Sequence, residues 1–83
     1  MDTKFYVYAL ISLRNSHLYI GQTDNLDRRI KQHNLGKVLS TKSYIPYRLL
    51  YKKSFKDRKS AVIKEKELKT SQGRRFLRSL IWF

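Results

Sequence analysis

The sequence predicts an α+β fold: a small three-stranded antiparallel sheet flanked by helices, in the order β-β-α-β-α-α. Three observations predict it. Phe5 to Ile11 is β-branched and aromatic with no polar member, as expected of a central strand covered on both faces. Tyr47 to Phe55 alternates in the manner of a half-buried strand, and two stretches after Asp24 and Asp57 place apolar residues at helical spacing.

Taken in order, Phe5–Ile11 is the first strand, and the polar cluster Arg14-Asn15-Ser16 turns the chain into a second strand, Leu18–Gly21, so that the two form a hairpin. Thr23 or Asp24 caps a helix that starts near Asn25 and stops at Gly36, a glycine suited to a helix C-terminus. The stretch from Lys37 to Ile45 suits either a loop or one short helical turn. Pro46 sits at the first position of a third strand, Tyr47–Phe55. Asp57 caps a helix that runs to about Lys69, and the spacing of Phe76, Leu77, Leu80 and Ile81 suggests a last helix. With 83 residues, 41% of them hydrophobic, the chain suffices for one domain over 1–83 with a modest core and excludes a disordered basic tail.

Against 19 Lys and Arg stand 6 Asp and Glu, a formal charge of +13 with no homopolymeric basic block. Such a surface calls for a polyanionic partner, with nucleic acid ahead of an anionic membrane. The longest apolar run, Phe5 to Leu13, is far short of the ~20 residues that span a bilayer. The N-terminus lacks the layout of a signal peptide, so a cytoplasmic location is expected. Without cysteine there are no disulfides and no thiolate metal sites. His17 and His33 alone do not make a zinc site, since no third close ligand accompanies them.

Three placements stand out. At about 100° per helical residue, Leu26, Ile30 and His33 share one face; Arg29 lies at its edge and Arg28 points away. Arg28 is then the surface charge, and Arg29 either snorkels over the core rim or serves a site. In the next helix Glu65 falls in the middle of the stripe Ala61, Val62, Leu68, whereas Glu67 lies on another face. A carboxylate there needs a positive partner: a cation such as Arg29 or Lys69, or a metal ion. In the hairpin, a loop that closes Ser12 on His17 sets Leu10 against Tyr19 and Tyr8 against Gly21, which brings the two tyrosines together diagonally on one face over the gap a glycine leaves. Shifting the register by one residue would separate them.

A tyrosine pair on a hairpin, an arginine on the following helix and a glutamate inside a later helix together resemble the GIY-YIG endonuclease superfamily, in its short stand-alone branch. Tyr6-Val7-Tyr8 stands for the family's first motif and Tyr19-Ile20-Gly21 matches the second; the steps of eleven residues from Tyr8 to Tyr19 and eight from Gly21 to Arg29 are the family's spacings. Tyr6 replaces the first motif's glycine, and Gln22 stands where some relatives carry a catalytic lysine. The resemblance implies a metal-dependent endonuclease acting on nucleic acid, DNA ahead of RNA, with low intrinsic sequence specificity; the oligomeric state is not legible in the sequence, with a monomer slightly favoured. It implies Tyr8 as the group that helps deprotonate water, its pKa lowered by neighbouring cations, with Tyr19 or His33 in its hydrogen-bond network. It also implies Arg29 on a phosphate oxygen, Glu65 as the ligand of one Mg²⁺ or Mn²⁺ ion, and Gly21, Lys42 and Lys69 along the nucleic acid. Two other readings are a nucleic-acid-binding module of the same fold with faded catalysis, and a structural RNA-binding protein of ribosomal type.

Overall fold

The structure, a computed structural model, describes residues 4–81; the outermost residues of the expected span 1–83 lie outside it. The element order is β1 (Phe5–Ser12), β2 (Leu18–Thr23), α1 (Leu26–Asn34), a short 3₁₀ turn (Lys42–Tyr44), β3 (Tyr47–Phe55), α2 (Arg58–Leu68) and α3 (Ser71–Arg78). This is the α+β architecture expected from the sequence. The stretch from Lys37 to Ile45 resolves into the single helical turn that was one of its two readings.

The strands form one antiparallel sheet in the order β2-β1-β3. β1 is therefore central, and Val7 to Ser12 are all buried, which is what an unbroken apolar run requires. In the hairpin Ser12 N–H donates to His17 O at 2.9 Å. The register pairs Tyr8 with Gly21 and Leu10 with Tyr19, as the turn predicted. β3 accommodates one extra residue, Leu50, since Ala9 pairs with Tyr51 and Leu10 with Leu49.

The sheet has two covered faces. Val7, Ala9, Ile11 and Ile20 pack on Ala61, Leu68 and Leu77 of α2 and α3. Tyr8, Leu10 and Tyr47 pack on Leu26 of α1, with Tyr19 and Ile30 at the margin. Each fully buried aliphatic side chain in these clusters contributes about 1.5–3 kcal/mol over its exposed state.

Helix ends differ slightly from expectation, for local reasons. Asn25, not Thr23 or Asp24, caps α1: its side chain accepts from Arg28 N–H, while Thr23 Oγ1 accepts from Asn25 N–H at 3.1 Å and steers the cap. Three adjacent residues could each cap, and the one that meets an unpaired helix N–H does so. β2 consequently extends to Thr23, β1 to Ser12, and Pro46 precedes β3 instead of opening it. Gly36, at φ 77°, follows the α1 C-cap. Its N–H donates to His33 O and that of Lys37 to Gln32 O, a Schellman ending that needs the left-handed conformation glycine adopts without strain. Leu80 and Ile81 lie past the end of α3 and still pack on the core. No helix among the described residues is long and apolar enough to cross a membrane.

Candidate active site

The α1 face of the sheet brings together four of the residues expected to act. Tyr8 and Tyr19 approach to 6.1 Å between ring centroids. Gly21 makes this possible: a Cβ there would lie 2.9 Å from Tyr19 Cε2 and 2.9 Å from Tyr8 Oη, so both rings occupy the space a side chain would take. His33 reaches the pair from α1, with its ring 4.7 Å from that of Tyr19.

A buried hydrogen-bond chain runs through these groups. Tyr8 Oη and His33 Nε2 are 2.9 Å apart, and His33 Nδ1 lies 2.9 Å from Thr41 Oγ1. Thr41 Oγ1 also lies 3.3 Å from Val38 O, and a hydroxyl proton turned to that carbonyl leaves Thr41 to accept from His33. In that arrangement the imidazole proton is on Nδ1, and Nε2 accepts from the Tyr8 hydroxyl. Burial, then the charge of Arg29, lowers the His33 pKa from 6.5 to about 4, and the imidazole is neutral at physiological pH.

Arg29 flanks the phenols. Tyr8 raises the pKa of its guanidinium, with Tyr19 adding to the effect, and its Nη1 donates to Gln32 Oε1 at 3.2 Å. Arg28 projects into solvent, 3.6 Å from Asp24, so the two arginines separate as the helical projection predicted. For Tyr8 the balance differs from expectation. Arg29 does lower its pKa, but burial is the larger effect and pushes it up to about 12. The phenol is protonated in the resting protein.

Glu65 stands apart from this cluster. It lies on α2, in the layer across the sheet, while its neighbour two residues on, Glu67, is exposed and pairs with Lys64 at 3.0 Å. The positive partner of Glu65 is Lys69, whose Nζ is 2.7 Å from Oε2. Its other oxygen accepts from Gln22 Nε2 at 3.0 Å. Gln22 belongs to the edge strand β2, directly after Gly21 and on the opposite face. The tyrosine cluster and Glu65 therefore share the β2 edge, one on each side of it.

Among the described residues no three His, Cys, Asp or Glu converge. His17 stacks on Tyr44 at 4.4 Å, whereas His33 is engaged by Tyr8 and Thr41. The donor set thus fits a hard cation held by one carboxylate and completed by water and substrate oxygens, not a histidine-held zinc. Lys42 is exposed on the 3₁₀ turn. Thr41 and Gln22 are the site residues that the functional reading of the sequence did not assign. Thr41-Lys42 resembles the short branch of the family, but in a loop of uncertain form nothing gives Thr41 a role; Gln22 stands out only as a departure from the lysine of some relatives.

Comparison with known proteins identifies the family of the chain. The profile of the GIY-YIG catalytic domain matches residues 4–77. A UPF0213 protein of Staphylococcus haemolyticus is 38% identical over 68 residues, covering 81% of this chain and 82% of its own. One from Bacillus licheniformis is 33% identical over 63 residues, 75% of this chain, and the match spans 65% of that relative's length. The solution NMR structure of the UPF0213 protein BH0048 from Bacillus halodurans superposes with a TM-score of 0.57 at 34% identity, covering 93% of this chain and 84% of that one. With the profile spanning nearly the whole chain and the small UPF0213 proteins as its relatives, the chain belongs to the GIY-YIG nuclease family.

Proposed function

We propose that the protein is a divalent-metal-dependent endonuclease that hydrolyses phosphodiester bonds in nucleic acid, DNA ahead of RNA, with little sequence preference of its own. The observation that carries this reading is the buried chain Tyr8–His33–Thr41, closed on its outer side by Arg29. A structural tyrosine needs no neutral histidine held in one tautomer behind it, nor a guanidinium in front.

The chemistry follows from those protonation states. Tyr8 donates to His33, so its oxygen lone pairs are left for an incoming group. A water that donates to Tyr8 Oη is oriented for attack, and as it loses its proton to Tyr8, the phenol passes its own to His33 Nε2. The phenol never has to ionise, which a pKa near 12 would forbid at neutral pH. Arg29 offers a planar, two-pronged grip on a phosphate oxygen, and a phosphate there also offsets the repulsion that Arg29 exerts on protonated His33. Glu65 would hold the divalent ion, which when bound would supply charge stabilisation for the leaving 3′-oxygen. A phosphodiester lying across the β2 edge presents one side to Tyr8 and the other to Glu65, as an in-line displacement requires. Gly21, Lys42 and Lys69 line its path. The +13 charge supports the polyanionic substrate without distinguishing DNA from RNA.

The test is plasmid cleavage in Mg²⁺ or Mn²⁺ by the wild type, Glu65→Gln and Glu67→Gln. Cleavage is expected from the wild type and Glu67→Gln and not from Glu65→Gln. Tight nucleic-acid binding by the wild type without any cleavage would instead identify a binding module on this fold.

A further inference from the structure

Gln22 is held by a single side-chain hydrogen bond that leaves half of its amide unused. Nε2 donates to Glu65 Oε1 at 3.0 Å, while Oε1 is buried without a hydrogen-bond partner. A buried amide oxygen with no partner is rare, and here it means that nothing on the oxygen side opposes a half-turn of the amide about its last bond, where the torsional preference is broad. The two orientations are nearly isosteric.

The carboxylate it faces is divided in its contacts. Lys69 holds Oε2 at 2.7 Å, so Oε1 is the oxygen left for a cation, and Gln22 is the group that stands against it. After the half-turn the amide oxygen occupies the position of Nε2, 3.0 Å from Glu65 Oε1. Two oxygens at that spacing repel each other unless a cation lies between them. Neighbouring ligands of an octahedral ion with bonds of about 2.1 Å are themselves about 3.0 Å apart, since the edge is the bond length times √2.

We propose that Gln22 is the second protein ligand of the metal site at Glu65: its amide N–H holds the carboxylate in the resting protein and its carbonyl oxygen replaces that contact when a hard divalent cation binds. The proposal rests on the reading of Glu65 as the metal residue. It adds a ligand contributed by the edge strand, at the place where the tyrosine face and the α2 face meet.

MnCl₂ alone is titrated into the intact protein, with free Mn²⁺ followed by its electron paramagnetic resonance signal and the thermal midpoint recorded with and without the metal. Wild type, Glu65→Gln, Gln22→Met and Gln22→Glu are compared. Gln22→Met keeps length and removes both polar atoms; Mn²⁺ affinity is expected to fall about 10-fold. Gln22→Glu keeps an oxygen and removes the donor. It is expected to bind Mn²⁺ at wild-type affinity or tighter, and to gain more in thermal midpoint on adding Mn²⁺ than the wild type does, because the metal relieves two facing carboxylates. If Gln22→Glu binds as poorly as Gln22→Met, only the N–H matters and the proposal fails. It fails also if Gln22→Met binds like the wild type while Glu65→Gln does not, an outcome that leaves the reading of Glu65 intact. Equal Mn²⁺ behaviour of wild type and Glu65→Gln overturns that reading, and the ligand role of Gln22 with it.

Discussion

At the scale of single residues, His33 shows how one buried group ties stability to chemistry. It is fully buried and its pKa is lowered from 6.5 to about 4. Above pH 6.5 neither the folded nor the unfolded chain binds this proton, and the shift has no effect. As pH falls through 6.5 the unfolded chain takes up a proton that the folded one refuses, so stability drops until about pH 4, by roughly 3 kcal/mol in total. Urea unfolding at pH 7 and pH 4.5 is expected to show most of that loss in the wild type and little of it in His33→Gln; equal losses would mean that His33 is not the neutral acceptor described. The same state predicts that cleavage at saturating protein holds its rate from pH 6 to 9 and falls only near pH 4, whereas an imidazole of ordinary pKa would bring the fall to about 6.5. Glu65 was legible because two glutamates fell on different faces of one helix. The contact of Thr41 with His33 was not, because the chain between them leaves the helix for an irregular stretch whose path no local pattern specifies.

At the scale of elements, the hairpin was readable and the docking of α1 was not. A turn that closes Ser12 on His17 leaves a single register, and with it the position of Tyr8 over Gly21 and beside Tyr19. The helix is fastened to the sheet by something periodicity does not see. Asn34, at its last turn, donates from Nδ2 to Tyr47 O at 3.1 Å and accepts Tyr47 N–H on Oδ1 at 2.7 Å. Its amide thus takes the place of a neighbouring strand at the start of β3. Likewise the extra residue in β3 and the bond from Gln22 to Glu65, 43 residues apart, are facts of tertiary packing with no local signature. Asn34→Ala is expected to cost about 2 kcal/mol, since it leaves a backbone N–H and C=O of β3 without partners. Lys31→Ala, exposed on the same helix, should stay within about 0.5 kcal/mol of the wild type. Comparable denaturation midpoints for the two variants would contradict the tether.

At the scale of the whole molecule, the excess of 19 basic over 6 acidic residues makes phosphate contacts the main source of affinity. If six or more of them form, affinity for nucleic acid is expected to fall at least about 10³-fold between 50 and 200 mM salt, with little dependence on sequence; a dissociation constant that barely moves would contradict a surface of this kind. Charge alone makes no enzyme, however, and the central claim is that the α1 face of the sheet holds a site within that field. Arg28 and Arg29 are adjacent, and removing either lowers the +13 charge by one. They differ in surroundings: Arg28 faces solvent beside Asp24, and Arg29 faces Tyr8 and Tyr19. The most direct measurement is single-turnover cleavage at saturating protein by Arg28→Ala, Arg29→Ala and Arg29→Lys. Arg28→Ala should cleave at the wild-type rate. Arg29→Ala should lose on the order of 10²-fold or more with little change in affinity, and Arg29→Lys nearly as much, because a point charge does not reproduce the guanidinium's grip. Equal rates for Arg28→Ala and Arg29→Ala would contradict a catalytic site on this face of the sheet.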